Sequence, residues 1–152
     1  MGGKKDYDPA MHTAEHILNQ TMIRTFGCGR SFNAHIEKKK SKCDYRFDRP
    51  LTQVEIISLE EAVNRIIRAN MPVAEHLILR GEAEERYFTG KLPADAGARI
   101  RIVRVGDYDA CPCIGRHVRS TADIPGFRIV STAYENGVLR IRFVLQSAAS
   151  ET

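Results

Sequence analysis

Two histidines near the start of the chain have the spacing of a pair of metal ligands. His12 and His16 stand four residues apart in the stretch HTAEH, and on a helix such residues lie one above the other. Two imidazoles in that arrangement can bind one ion. The stretch is not the metalloprotease motif, because Glu15 precedes the second histidine instead of following the first. The pair alone also fits two unrelated surface histidines.

A second pair with the same spacing lies far along the chain. Cys113 and His117 stand four residues apart in DACPCIGRHV. Together the two pairs offer three nitrogens and one sulfur, a donor set that suits tetrahedral Zn²⁺. The sequence therefore predicts a zinc site formed by His12, His16, Cys113 and His117. Cys111, two residues before Cys113, is either a substitute ligand or a small buried side chain.

Two other interpretations of these motifs also involve zinc. Zinc deaminases carry the signature P-C-x-x-C, and Pro112-Cys113 lacks the second cysteine. A structural zinc closed by four protein ligands would have no open position for chemistry, and this alternative stays open.

Two predicted helices and several strands must position these residues. Asp8-Pro9 suits the start of the helix that carries both histidines, and Gly27 suits its end. Thr52 and Glu55 form a capping box at the start of a second helix, which residues 70–72 should end. EAEERY predicts one or two further helical turns.

Alternating apolar and polar residues predict the strands. Residues 31–48 should form two strands joined by a lysine-rich turn, and Asn136-Gly137 suits a hairpin. VAEHLILR and ARIRIVRV read as further strands. Since strands outnumber helices, we expect an α+β domain with a mixed, mainly antiparallel sheet and two main helices. Cys113 and His117 would then follow a strand, where Gly115 eases the turn.

Length and composition narrow the class of protein. The 152 residues, 43% of them hydrophobic, predict one domain over residues 1–152. No apolar run is long enough for a bilayer and no hydrophobic leader follows Met1, so we expect a cytoplasmic protein without a membrane partner. Its four cysteines are then expected to be thiols or metal ligands. A net charge of +4 suits a polyanionic partner.

With both pairs identified, the chain resembles a known family. HTAEHILNQ followed by CPCIGRHV is similar to the paired H-x-x-x-H and C-x-x-x-H motifs of the alanyl-tRNA synthetase editing domain and its freestanding AlaX-type relatives. It is more distantly similar to the editing domain of threonyl-tRNA synthetase. CDYRFD, LEEAVNRIIRANMPV, RIVRVGDYDACPC and GVLRIRFVL agree in order, so the resemblance runs from about His12 to Leu145.

The resemblance implies a fold, a cofactor and an activity. The fold would be that of the threonyl- and alanyl-tRNA synthetase second additional domain. The two pairs would hold Zn²⁺, and the protein would hydrolyse, in trans, serine or glycine wrongly attached to alanine tRNA.

One departure from the family lies at the second pair. The usual C-G-G-T-H is Cys-Ile-Gly-Arg-His here. Ile114 and Arg116 replace smaller residues, so Arg116 should either bind a phosphate or block the pocket. A zinc-stabilised RNA-binding module without catalysis is therefore one alternative function. A metal-dependent hydrolase of another small ester or amide is a second.

Further residues are predicted to contact the substrate. Ser31 and Asn33 could form the polar pocket that distinguishes serine from alanine, and His35 on the same strand face could act as a base. The same pattern also fits a solvated strand face. The residues expected to contact the tRNA at its acceptor end are Arg116 and Arg119 beside the ligand turn, and Lys38, Lys39, Lys40 and Lys42 in the lysine-rich turn.

Overall fold

The computed structural model describes residues 8–87 and 97–146, which form three α-helices and seven strands. The helices are α1 (Pro9–Phe26), α2 (Gln53–Arg68) and α3 (Arg80–Arg86), and a 3₁₀ turn covers Thr121–Asp123. The strands are β1 (Asn33–His35), β2 (Ser41–Arg46), β3 (Val73–Leu79), β4 (Arg99–Val105), β5 (Asp109–Pro112), β6 (Gly126–Glu135) and β7 (Val138–Gln146). The predicted α+β class is confirmed.

The helix ends follow the local sequence signals. Asp8 caps α1 by accepting a hydrogen bond from the backbone of Met11, and Gly27 ends it in the left-handed conformation at φ 72°. Both hydrogen bonds of the capping box between Thr52 and Glu55 are present at the start of α2. These short-range interactions set where each helix begins and ends.

All strand pairs are antiparallel, and they form two sheets. The first sheet has the order β1-β2-β7-β6, and the second has the order β3-β4-β5. Asn136 and Gly137 join β6 to β7 with φ values of 51° and 81°, as a type I′ turn requires. The predicted antiparallel pairing is confirmed, with the strands divided between two sheets.

Each sheet has its own apolar cluster. The large cluster joins α1 and α2 to the inner face of the first sheet, where Tyr45 and Phe143 are fully buried. The small cluster joins α3 to one face of the second sheet through Ala83, Ile100 and Ile102. None of the helices in the described ranges has the length and apolar character needed to span a bilayer. The single domain over residues 1–152 stays a prediction.

Candidate metal centre

The fold brings the two predicted ligand pairs together. His12 and His16 are buried on α1, while Cys113 and His117 lie in the loop after β5. The four donor atoms all lie within 4.8 Å of one another. The Cys113 Sγ is 3.5 Å from the Nε2 atom of His12 and 3.5 Å from that of His117. A tetrahedral Zn²⁺ site requires S···N separations of about 3.6 Å, so these donors fit the ion.

Thr13 determines the tautomer of His117. Its hydroxyl donates to the carbonyl of Pro9 at 3.0 Å, so the same oxygen must accept at its 2.9 Å contact with His117 Nδ1. The Nδ1 atom therefore carries the proton. The Nε2 lone pair is left to face the Cys113 sulfur, as a metal ligand requires.

Asp109 supports His16 in a similar way. Its Oδ2 lies 3.6 Å from His16 Nδ1, the ring atom that a ligating histidine typically directs to a carboxylate. The Asp109 side chain has no exposed surface and also binds Arg30 at 2.7 Å and Gln20 at 2.8 Å. Burial disfavours its charged form, but hydrogen bonds and charge from His16 and Arg30 outweigh that effect and lower its pKa.

Cys111 lies beside the Asp109 carboxylate. It is buried, as expected if it is a small buried side chain, one of the two roles that the sequence allowed. Its Sγ is 3.3 Å from His16 Nδ1, on the side of the ring that faces Asp109. His16, Asp109 and Cys111 form a second close group of donors. Because Arg30 already compensates the Asp109 charge, this second group is a poorer cation site than the first.

Close contact between the loop and α1 explains the glycine at position 115. A Cβ added to Gly115 would lie 1.9 Å from His12 Cε1, closer than packed atoms can approach. Arg101 of β4 holds the loop from the other side, donating to the carbonyls of Cys113 at 2.9 Å and Gly115 at 2.7 Å. Glu75 pairs with the same guanidinium. Contacts of the Arg101 and His12 side chains with the backbone of this loop thus hold Cys113 and His117 in position.

The protonation states of two of the four donors, Cys113 and His117, suit metal binding. Burial alone would raise the pKa of the Cys113 thiol, but the imidazoles of His117, His12 and His16 beside its sulfur lower it to about 3. Burial lowers the pKa of His117 to about 4 despite its hydrogen bond to Cys113. The pKa of His16 is raised, because Cys111 and Asp109 outweigh the effect of burial. At neutral pH the centre therefore offers a thiolate and a neutral His117.

A cavity of ≈ 740 Å³ opens beside the four donors. Ser31 and Asn33 line it, as the predicted pocket role requires, although Ser31 is buried while Asn33 is exposed. Asn33 also donates to Asp44 at 3.3 Å. His35 does not belong to the described lining; it is exposed and bonded to Glu37. The sequence suggested one common face for these three residues, but Ser31 and Asn33 line the cavity whereas His35 is exposed to solvent.

Glu15 is a cavity residue that the sequence motifs did not identify. It is buried, with Oε1 3.5 Å from His12 Nε2 and Oε2 accepting from Asn19 at 3.4 Å. Asn19 also accepts from the backbone of Ser31 at 3.1 Å and from the Tyr45 hydroxyl at 2.8 Å. Glu15 and Asn19 stand one helical turn apart beside the ligands, so helical spacing was the signal that could have identified them.

The predicted tRNA contacts lie on the surface. Lys38, Lys39, Lys40, Arg116 and Arg119 are exposed, and Lys42 is half-buried. Arg116 is absent from the described cavity lining, whereas its neighbours Ile114 and Gly115 belong to it. The arginine that replaces the smaller family residue at position 116 therefore lies outside the cavity lining that the structure describes.

Comparison with known proteins shows a likeness to aminoacyl-tRNA synthetases. Residues 100–142 match the family described as Threonyl and Alanyl tRNA synthetase second additional domain. An alanine–tRNA ligase of Aeropyrum pernix is 37% identical over 88% of the chain and 15% of its own length. One of Halorubrum lacusprofundi is 30% identical over 99% of the chain and 17% of its length. The chain thus spans about a sixth of the length of these relatives.

Proposed function

Because this chain is similar to alanine–tRNA ligases over most of its length and matches their second additional domain over residues 100–142, we propose that it is a zinc-dependent aminoacyl-tRNA deacylase. Its substrates would be serine or glycine wrongly attached to alanine tRNA, and it would act in trans. The observation that carries this proposal is the cluster of four zinc-compatible donors, three of which, on His12, His16 and Cys113, line a cavity.

The cofactor would be Zn²⁺ held by the four residues of the metal centre, and when bound it would supply positive charge to orient or polarise the aminoacyl ester. The other steps of the reaction would depend on the side chains of the protein. An ester needs little activation, so the main tasks are to position the substrate and stabilise developing negative charge.

Glu15 is placed to bind the α-ammonium group of the aminoacyl substrate. Its carboxylate is buried in the cavity wall within 3.5 Å of a metal-ligand candidate, so a cation arriving beside it would gain a strong, weakly screened interaction. Asn19 keeps the carboxylate in place. This contact would hold the ester next to the ligands without distinguishing among amino acids.

Discrimination against alanine would come from the polar part of the cavity. Ser31 and Asn33 lie where a serine hydroxyl could form hydrogen bonds, and a site built for such bonds rejects an analogue that lacks the hydroxyl. Glycine would be accepted because it is small. His35 is omitted from this mechanism, because it is exposed outside the described lining.

The decisive test measures deacylation of alanine tRNA charged with serine, glycine or alanine. We expect the zinc-loaded protein to hydrolyse the first two much faster than the third. Cys113→Ala and His117→Ala should lose both stoichiometric metal and hydrolysis while retaining affinity for uncharged tRNA. Cys28→Ala, which removes a thiol outside both donor groups and the described lining, is the matched control and should keep all three properties.

A zinc-stabilised RNA-binding module is the second candidate function. The observation that favours it is the departure from the family motif at two exposed residues, Ile114 in the cavity lining and Arg116 outside the described lining. Tight tRNA binding by a zinc-loaded protein that hydrolyses none of the three charged tRNAs would establish this alternative and exclude the deacylase.

A further inference from the structure

The first sheet has an outer face that no helix covers within residues 8–87 and 97–146. Its inner face carries Leu139, Ile141 and Phe143, which are fully buried against the helices. The residues that alternate with these on β7, Arg140 and Arg142, are half-buried and face outward. The arginines on this outer face are thus partly accessible to a partner.

Three cations form a row at one end of this outer face. Lys42 of β2 and Arg142 of β7 are direct cross-strand partners. Arg128 of β6 pairs with Val144, two residues along β7 from Arg142. We call Lys42, Arg128 and Arg142 the cationic band. Successive strands lie about 4.8 Å apart, so from β1 to β6 this end of the sheet measures about 15 Å.

The charges of the cationic band are available to a ligand. Among the described residues, no carboxylate forms an ion pair with any of the three. Arg142 contacts the Ser131 hydroxyl at 3.5 Å. The next row along the sheet differs, because Arg140 there is neutralised by Asp44 through two hydrogen bonds of 2.7 and 2.9 Å.

The cationic band is continuous with the candidate metal centre. Strand β1 forms the edge of the same sheet, with His35 paired to Lys42 in the same row. Ala34 and Ile36, the neighbours of His35 on either side, line the cavity. The exposed lysines between β1 and β2 extend the positive charge at the same end. A chain whose end enters the cavity would therefore pass next over this end of the sheet.

We propose that the cationic band binds the phosphate backbone of the tRNA acceptor arm, with the charged 3′ end in the cavity. The proposal rests on the function proposed above. One strand of B-DNA carries a phosphate about every 3.4 Å along its axis, and phosphates of an RNA stem are spaced on the same scale, so this end of the sheet is wide enough to face several of them. The band has few exposed apolar neighbours apart from Val130, which favours RNA over a lipid surface.

The test compares two double variants with the same loss of charge. Lys42→Gln with Arg142→Gln removes two of the three cations of the band. Arg65→Gln with Arg68→Gln removes two exposed cations of α2, which packs on the opposite side of the sheet. For uncharged tRNA, the slope of log affinity against log salt should become shallower by about one to two units in the band variant only.

Catalysis supplies a second readout. Deacylation of a seryl ester of adenosine, which has no stem, should be unchanged in the band variant, while kcat/KM for full-length charged tRNA should fall. Equal slopes in the two double variants would overturn the proposal, and so would an equal loss on both substrates. If the wild type hydrolyses neither substrate, the deacylase proposal fails, but the slopes measured with uncharged tRNA still decide whether the band binds RNA.

Discussion

The two halves of the metal centre are positioned by different means. His12 and His16 belong to a long helix whose residues from Met11 to Asn19 are all buried. Cys113 and His117 belong to a loop that is only half-buried. The helical pair is set by the helix itself, because residues four apart share a face. The loop pair depends on hydrogen bonds to side chains far away in the sequence.

This difference indicates where the centre is vulnerable. The helical pair would keep its spacing as long as α1 stays folded. The loop pair needs Arg101 on its carbonyls, Thr13 on His117 and a close approach at Gly115. Substitutions that leave α1 intact should therefore disable metal binding most selectively when they act on the loop.

Gly115→Ala should have the largest effect on the centre. The new Cβ would lie 1.9 Å from His12 Cε1, so the loop and the helix could no longer bring their ligands together. We expect loss of stoichiometric zinc, as complete as in His12→Ala, with the helical circular dichroism unchanged. Gly81→Ala is the control, because nothing lies within 4 Å of its added Cβ. Full zinc content in Gly115→Ala would show that the loop adapts.

Asp109→Asn should have the next largest effect, on the support of the helical pair. The change removes a fully buried carboxylate that pairs with the half-buried Arg30 and lies beside His16, which should lower the free energy of unfolding by about 3 kcal/mol in urea titrations. The control is Asp44→Asn on the first sheet, whose partner Arg140 is 32% exposed. We expect a cost of about 1 kcal/mol there. Equal losses of unfolding free energy in Asp109→Asn and Asp44→Asn would show that the complete burial of Asp109 adds nothing to stability.

Arg101→Gln should loosen the loop pair alone. It removes the donors to the carbonyls of Cys113 and Gly115, and losing such outer support typically weakens metal affinity about 10–100-fold. Competition with a zinc chelator measures the change. Glu75→Gln tests whether the exposed ion pair matters instead, and it should leave affinity within about twofold. A larger loss in Glu75→Gln than in Arg101→Gln would refute the carbonyl mechanism.

The smallest effect concerns the pH dependence of the metal-free protein. The pKa of His117 is about 4 in the folded state, below the ordinary histidine pKa of 6.5. As pH falls from 6.5 to 4, the unfolded chain binds a proton that the folded chain does not, so stability falls by up to about 1.4 kcal/mol per pH unit. His117→Asn should reduce this slope in urea titrations across that window. An identical slope would show that His117 is readily protonated when folded.

The helix carrying the first ligand pair could be read from the sequence because its determinants are local. Asp8, Pro9 and Gly27 act within one turn of the helix ends, and the Asn136-Gly137 turn acts within its own hairpin. The α+β class followed from the same short-range patterns. The pairing of the histidines with Cys113 and His117 was predicted from their chemistry and their matching spacing.

Only the tertiary structure decided how the sheet is divided and which polar residues face the cavity. Strand alternation suggested one common face for Ser31, Asn33 and His35, but β1 begins at Asn33, so Ser31 precedes the regular pleat. Burial then depends on what packs against each residue, and α1 reaches Ser31 through Asn19.

The outer support of the ligands also depended on contacts between distant parts of the chain. Arg101 and Asp109 lie on strands of the second sheet, and nothing near them in the sequence marks them as partners of the centre. Thr13 stands inside the HTAEH motif, yet its role arises only when His117 arrives from far along the chain. Hydrogen bonds between residues that are close in the sequence can be predicted without the long-range packing. The tautomer, the charge and the accessibility of a site depend instead on groups that only folding brings within a few ångströms.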